Sequence, residues 1–140
     1  MTTWTEGAEL PTQSFRVSRA DLVRYAGASG DRNPIHWSDR VARSVGLPGV
    51  IAHGMYTLAL AARAVDSWAG GPGRVRELGA KFTRPVVVPD DDTGAEVVVA
   101  GRVKKVEAGL VTVAMTVTSG DDKVLGLPTA TFAAPGDGLG

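Results

Sequence analysis

The chain has 140 residues, 44% of them apolar, with 15 basic against 15 acidic side chains and no cysteine. That length suits one domain with its own core, residues 1–140, and the zero net charge leaves no basic field to gather nucleic acid or an anionic membrane surface. Without cysteine there is no disulfide framework, no thiolate nucleophile and no cysteine zinc site.

Residues 1–13 lack the basic start and apolar run of a signal peptide. Residues 8–17 alternate loosely around Pro11, which predicts a lead-in with a short edge strand. Ser18 with Asp21 three positions on resembles a capping box, with Asp in place of the usual Glu. Leu22, Val23, Tyr25 and Ala26 then make a short amphipathic helix that ends in the run from Gly27 to Gly30. An irregular loop follows over residues 31–36. Ser38 caps a second short helix over residues 39–45, stopped by Gly46 and Pro48.

From Gly54 to Trp68 the spacing is helical: Met55, Leu58, Ala59, Ala62 and Val65 share one face, and Tyr56, Leu60, Ala61 and Ala64 make the other faces apolar too. Such a helix is expected to be buried nearly all round. His53, Arg63 and Asp66 interrupt the apolar stretch of residues 50–69, so it falls short of a membrane span. The glycine-rich turn of residues 70–73 ends it.

The second half is rich in Val and Thr. Residues 75–88, 95–105, 110–118 and 123–133 read as strands, with hairpin turns at Glu107–Gly109 and Ser119–Asp122. Val111, Val113, Met115 and Val117 alternate with Thr112, Ala114, Thr116 and Thr118, as in a strand covered on one face. The tail, residues 135–140, is expected to fray. This order predicts an α+β fold, a curved antiparallel sheet wrapped around one long helix. A single such sheet leaves an edge and part of the helix open, and self-association is the economical way to cover both.

Both histidines, His36 and His53, lie close in sequence to Asn33, the only asparagine. Asp31 and His36 stand five residues apart on a loop stiffened by Pro34, which also biases Asn33 toward extended geometry. Imidazole titrates near neutrality, and a carboxylate beside it gives an acid and a base that divide the work of proton transfer. Two other readings remain open at this point. Asp31 is a turn residue and His36 a packed one, or Asp31, His36 and His53 together hold a metal, although neither histidine has a recognised ligand spacing. Gly54, at the start of the long helix, offers a main-chain N–H that a ligand can approach and that the helix dipole favours for negative charge. The alternative is a plain loop glycine with His53 capping or packing.

Residues 25–42, YAGASGDRNPIHWSDRVA, resemble the hydratase signature of the MaoC-like family of hot-dog-fold (R)-specific enoyl hydratases and hydroxyacyl dehydratases. Residues 51–55 are similar to the family's entry to its central helix, and residues 82–89 to its strand before a Pro-Gly-Asp turn. Within the family the chain looks most like actinobacterial dehydratase beta subunits. The resemblance implies a hot-dog fold and reversible conversion of a trans-2-enoyl thioester to its (3R)-3-hydroxyacyl thioester. It makes Asp31 and His36 the catalytic pair, Asn33 the support of their loop and the Gly54 N–H the partner of the thioester carbonyl. No cofactor is required. It implies an acyl-CoA or acyl-carrier-protein substrate and a homodimer or a heterodimer with a related subunit, in the cytoplasm, with no nucleic acid or membrane partner.

One departure is the stretch from Pro89 to Gly94, longer and more acidic than that turn, which is expected to alter how a pantetheine arm or its carrier docks and to leave the chemistry untouched. The acyl tail is expected along Leu58, Ala59, Ala61 and Ala62. Competing readings are a non-catalytic hot-dog partner subunit that binds acyl chains, and a hot-dog thioesterase.

Overall fold

Valine and threonine alternate through the second half of the chain, and there the computed structural model, which describes residues 4–134, has all the strands of its sheet but the first. The strands are β1 (Glu9–Val17), β2 (Val75–Phe82), β3 (Ala95–Glu107), β4 (Leu110–Ser119), the two-residue β5 (Asp122–Lys123) and β6 (Leu125–Ala133). They lie in the order β1-β3-β4-β6-β2, all neighbours antiparallel, with β5 paired to β4. In β4 the residues Val111, Val113, Met115 and Val117 are all buried, so the expected alternation holds. Ala108 and Gly109 both have positive φ and close a two-residue β3–β4 hairpin, in line with right-handed strand twist.

Three α-helices precede or interrupt the strands: α1 (Arg19–Ser29), α2 (Asp39–Ser44) and α3 (Gly54–Ala69). The Ser18–Asp21 capping box is present in both directions, and Gly30 closes α1 in the left-handed conformation. Ser38 caps α2 as expected, its hydroxyl accepting from the Val41 N–H. Helix α3 packs across β1, β2, β3 and β6 and buries Leu60, Ala61, Ala64, Val65, Trp68 and Ala69 in the core. This is the hot-dog arrangement, a sheet around one long helix. Trp68 fits because Gly101 on β3 has no side chain: a Cβ there would sit 2.6 Å from the indole. The indole N–H donates to the Pro11 carbonyl at 2.8 Å, beside the register shift in edge strand β1.

Three expectations change. Helix α3 is not buried all round in the single chain: Met55, Ala59, Arg63 and Ser67, each four residues from the next, form an exposed stripe. The loop of residues 31–36 contains a 3-10 turn, Pro34–His36. The strand expected over residues 75–88 stops at Phe82, because Pro85 has no N–H for the ladder. Residues 86–88 turn away and bridge to residues 50–52 instead. The Ala52 N–H donates to the Val86 carbonyl and the Val88 N–H to the Val50 carbonyl, each at 2.9 Å. Residues 135–140, expected to fray, lie outside the described residues. No helix among the described residues is long and apolar enough to cross a membrane.

Candidate active site

Asn33 begins the turn that shapes the site. Its side-chain oxygen accepts the Ile35 N–H at 3.2 Å, and its own N–H donates to Asp31 Oδ1 at 3.2 Å. Pro34 then takes the first position of the 3-10 turn, which brings His36 back over Asp31. The indole N–H of Trp37 donates to the Arg32 carbonyl at 3.0 Å and staples the loop from outside. His36 Nε2 consequently stands 3.9 Å from Asp31 Oδ2. Asp39, the first residue of α2, holds the far side: its Oδ1 accepts from Arg19 at 2.9 Å and from the Val50 N–H at 3.0 Å. These bonds keep the Asp39 carboxyl below the usual carboxylate range, the Val50 N–H foremost.

His36 is buried, and its Nδ1–H donates to the Ile51 carbonyl at 2.7 Å. That bond leaves Nε2 as the lone-pair nitrogen, facing Asp31. Loss of solvation holds the His36 imidazole below its ordinary pKa; the neighbouring His53 adds to this, while the Ile51 carbonyl and Asp31 oppose it. The ring is therefore neutral at pH 7.

His53 directly precedes α3 but does not cap it with its side chain. Its ring stacks on that of His36, with centroids 3.7 Å apart and planes 19° apart, and its Nε2–H donates to the Asp31 carbonyl at 3.0 Å. Sequence reasoning left His53 a capping, packing or ligand role. The ligand role fits poorly. Asp31, His36 and His53 do offer ligand atoms within 4.8 Å of one another. Imidazole lone pairs lie in the ring plane, however, and planes this close to parallel meet well beyond metal–nitrogen bonding distance.

The start of α3 forms the opposite wall. Gly54 is exposed, and among the described residues its N–H has no hydrogen-bond partner. A Cβ at Gly54 would meet the Phe82 ring at 3.0 Å, so the glycine lets that ring close over the helix start. Asp31, His53 and Gly54 border one cleft of about 590 Å³, together with Tyr25, Ile51, Ala52, Met55, Thr57 and the segment from Phe82 to Val86. His36 lies behind Asp31 and does not line it. Leu58, Ala59, Ala61 and Ala62, the expected path of an acyl tail, do not line it either; the apolar wall comes from the first turn of α3 and the end of β2. Phe82 and Tyr25 are among the wall residues that sequence reasoning missed. Phe82 stood in the middle of an expected strand, and Pro85, three residues on, was the local signal of that strand's early end.

The acidic turn after Pro89 is ordered by one of its own carboxylates. Asp91 Oδ1 accepts from the Thr93 and Gly94 N–H groups and from the Thr93 hydroxyl, and Arg16 reaches the Thr93 carbonyl at 2.6 Å.

Residues 3–121 match the family model described as a MaoC like domain. The 3-hydroxyacyl-thioester dehydratase X of Mycobacterium tuberculosis is 39% identical over 79 residues, 56% of this chain and 27% of that protein. Among solved structures, a MaoC-like dehydratase matches with a TM-score of 0.89 at 38% identity, over 94% of this chain and 41% of that one. R-Hydratase PhaJ1 of Pseudomonas aeruginosa in the unliganded form matches with a TM-score of 0.80 at 28% identity, over 95% of this chain and 83% of that one. The chain thus spans about a quarter of the length of the M. tuberculosis protein.

Proposed function

The chain belongs to the MaoC-like domain family, and from that premise we propose that it is a hydro-lyase interconverting trans-2-enoyl and (3R)-3-hydroxyacyl thioesters in the cytoplasm. The observation that carries this reading is the 3.9 Å gap between Asp31 Oδ2 and His36 Nε2, beside a cleft whose other wall ends in the Gly54 N–H at the start of α3.

A water in that gap lies about 2.8 Å from each acceptor and donates one hydrogen to each. The Ile51 carbonyl holds the His36 tautomer that makes this possible. The thioester carbonyl takes the Gly54 N–H, where the helix dipole adds to the hydrogen bond. As the water oxygen bonds to C3, its proton passes to the Asp31–His36 pair and the double-bond electrons move toward the carbonyl oxygen. The pair then gives a proton to C2. One water is added, and the reverse sequence removes it. A proton on His36 is tolerated during this step because the Asp31 carboxylate lies beside it. Asn33 keeps the loop in shape. The R configuration rests on the likeness to R-Hydratase PhaJ1. A second subunit, either another copy or a related hot-dog chain, covers the exposed stripe of α3.

The test is the purified chain with trans-2-enoyl thioesters of graded length on coenzyme A and on acyl carrier protein. Loss of the enoyl absorbance without thiol release, and a 3R product on chiral analysis, is the expected result. Thiol release makes it a thioesterase; binding without either change makes it a non-catalytic acyl-binding subunit.

A further inference from the structure

Two imidazoles stack in this site, and the proposed chemistry uses one. The other, His53, is 2% exposed, and among the described residues its Nδ1 has no hydrogen-bond partner. A phenyl or aliphatic side chain would fill the same slot without burying a lone acceptor, so packing alone does not account for the residue. Its Nε2–H ties the Asp31 carbonyl, its face covers the His36 ring, and Tyr25 of α1 meets it edge-on at 4.8 Å.

We infer that His53 is a positioning residue: one imidazole holds both the main chain of Asp31 and the plane of His36, and so sets the gap in which water is held. The inference rests on the hydratase reading. Nε2 must carry a hydrogen to make the bond to Asp31, because a carbonyl oxygen accepts and does not donate. The ionisable groups facing the stacked rings are Asp31 from the loop and Tyr25 from α1, with Tyr56 packed on Tyr25. A proton on His36 is disfavoured by the imidazole stacked on it.

His53→Phe keeps a flat ring and removes the donor; His53→Gln places an amide N–H the same number of bonds from Cβ. The expected result is a fall in kcat of about 100-fold for His53→Phe with KM within about twofold, the mark of lost alignment rather than lost binding. His53→Gln should recover about tenfold of that loss. Should His53→Phe not fold, His53→Met, close to Gln in shape but without a donor, replaces it, and Gln must exceed Met. A kcat for His53→Phe within about threefold of the parent, or Gln no better than the donor-free variant, overturns the inference. Asp31→Asn and His36→Ala separate the two ideas. If they stay active, the hydratase reading itself fails; if they are inactive while His53→Phe is unaffected, only the positioning role is lost.

Discussion

The sheet formed by β3, β4 and β6 and the segment from Asp31 to Thr57 solve opposite problems. In the sheet, the buried side chains are apolar, Val97, Val99, Val103, Val111, Val113 and Phe132 among them. In the segment, two imidazoles and the Thr57 side chain are buried, and one imidazole nitrogen has no partner among the described residues. An unpartnered buried polar atom costs about 1–3 kcal/mol, so this segment gives up stability that the sheet supplies. The contrast teaches where to look for chemistry: at the place where burial and polarity coincide, rather than at the largest core.

That contrast can be broken most sharply at the catalytic pair. Asp31→Asn and His36→Ala should each lower turnover by about 1,000-fold, while circular dichroism and the melting curve of Asp31→Asn stay close to the parent's. Unchanged turnover in both would remove the division of labour. The mirror experiment is Phe132→Ala. This side chain is fully buried beneath Trp4, and the change should cost about 3–5 kcal/mol in urea unfolding with kcat per folded molecule preserved. Gly54→Ala sits on the boundary. Its methyl presses the Phe82 ring, which is more than half exposed and can yield, so stability should hold while kcat falls about tenfold.

The smallest effect is the pH dependence. His36 must be neutral to accept a proton from water, so the acid limb of kcat/KM should have its midpoint below the ordinary histidine value of about 6.5. The stability linkage has the same sign. Below about 6.5 the unfolded chain binds a proton at His36 before the folded one does, so stability rises with pH from the depressed folded value up to that point. Above it, the His36 contribution is complete. A flat melting temperature across that window would count against burial of a neutral ring.

Much of this was legible in the sequence. Alternation gave β4 and its buried face, Ser18 and Asp21 gave the start of α1, and glycines gave the end of α3 and the β3–β4 hairpin. The spacing of Asp31, Asn33, Pro34 and His36 gave a loop whose geometry brings the carboxylate to the imidazole. What sequence could not give was long-range. The new course of residues 86–88 depends on pairing with residues 50–52, the Asp39 anchor on Arg19 and the Val50 N–H, and the stacking of His53 on how α3 enters the core. The full burial expected for α3 failed because helical periodicity counts apolar faces and does not say which of them its own chain covers.

The small bridge between residues 50–52 and 86–88 acts as a latch on a loop of chain that contains all of α3 and β2. Its two ends differ in their tolerance of length change. At the far bend, Gly70, Gly71 and Gly73 turn the chain well away from the latch, and extra residues there leave it shut. Between Phe82 and Val86 a single inserted residue would slide the latch out of step, moving Ala52 and, with it, the amide at the mouth of α3. Homologues and engineered variants should accordingly vary in length at the glycine bend and keep the count constant beside the latch.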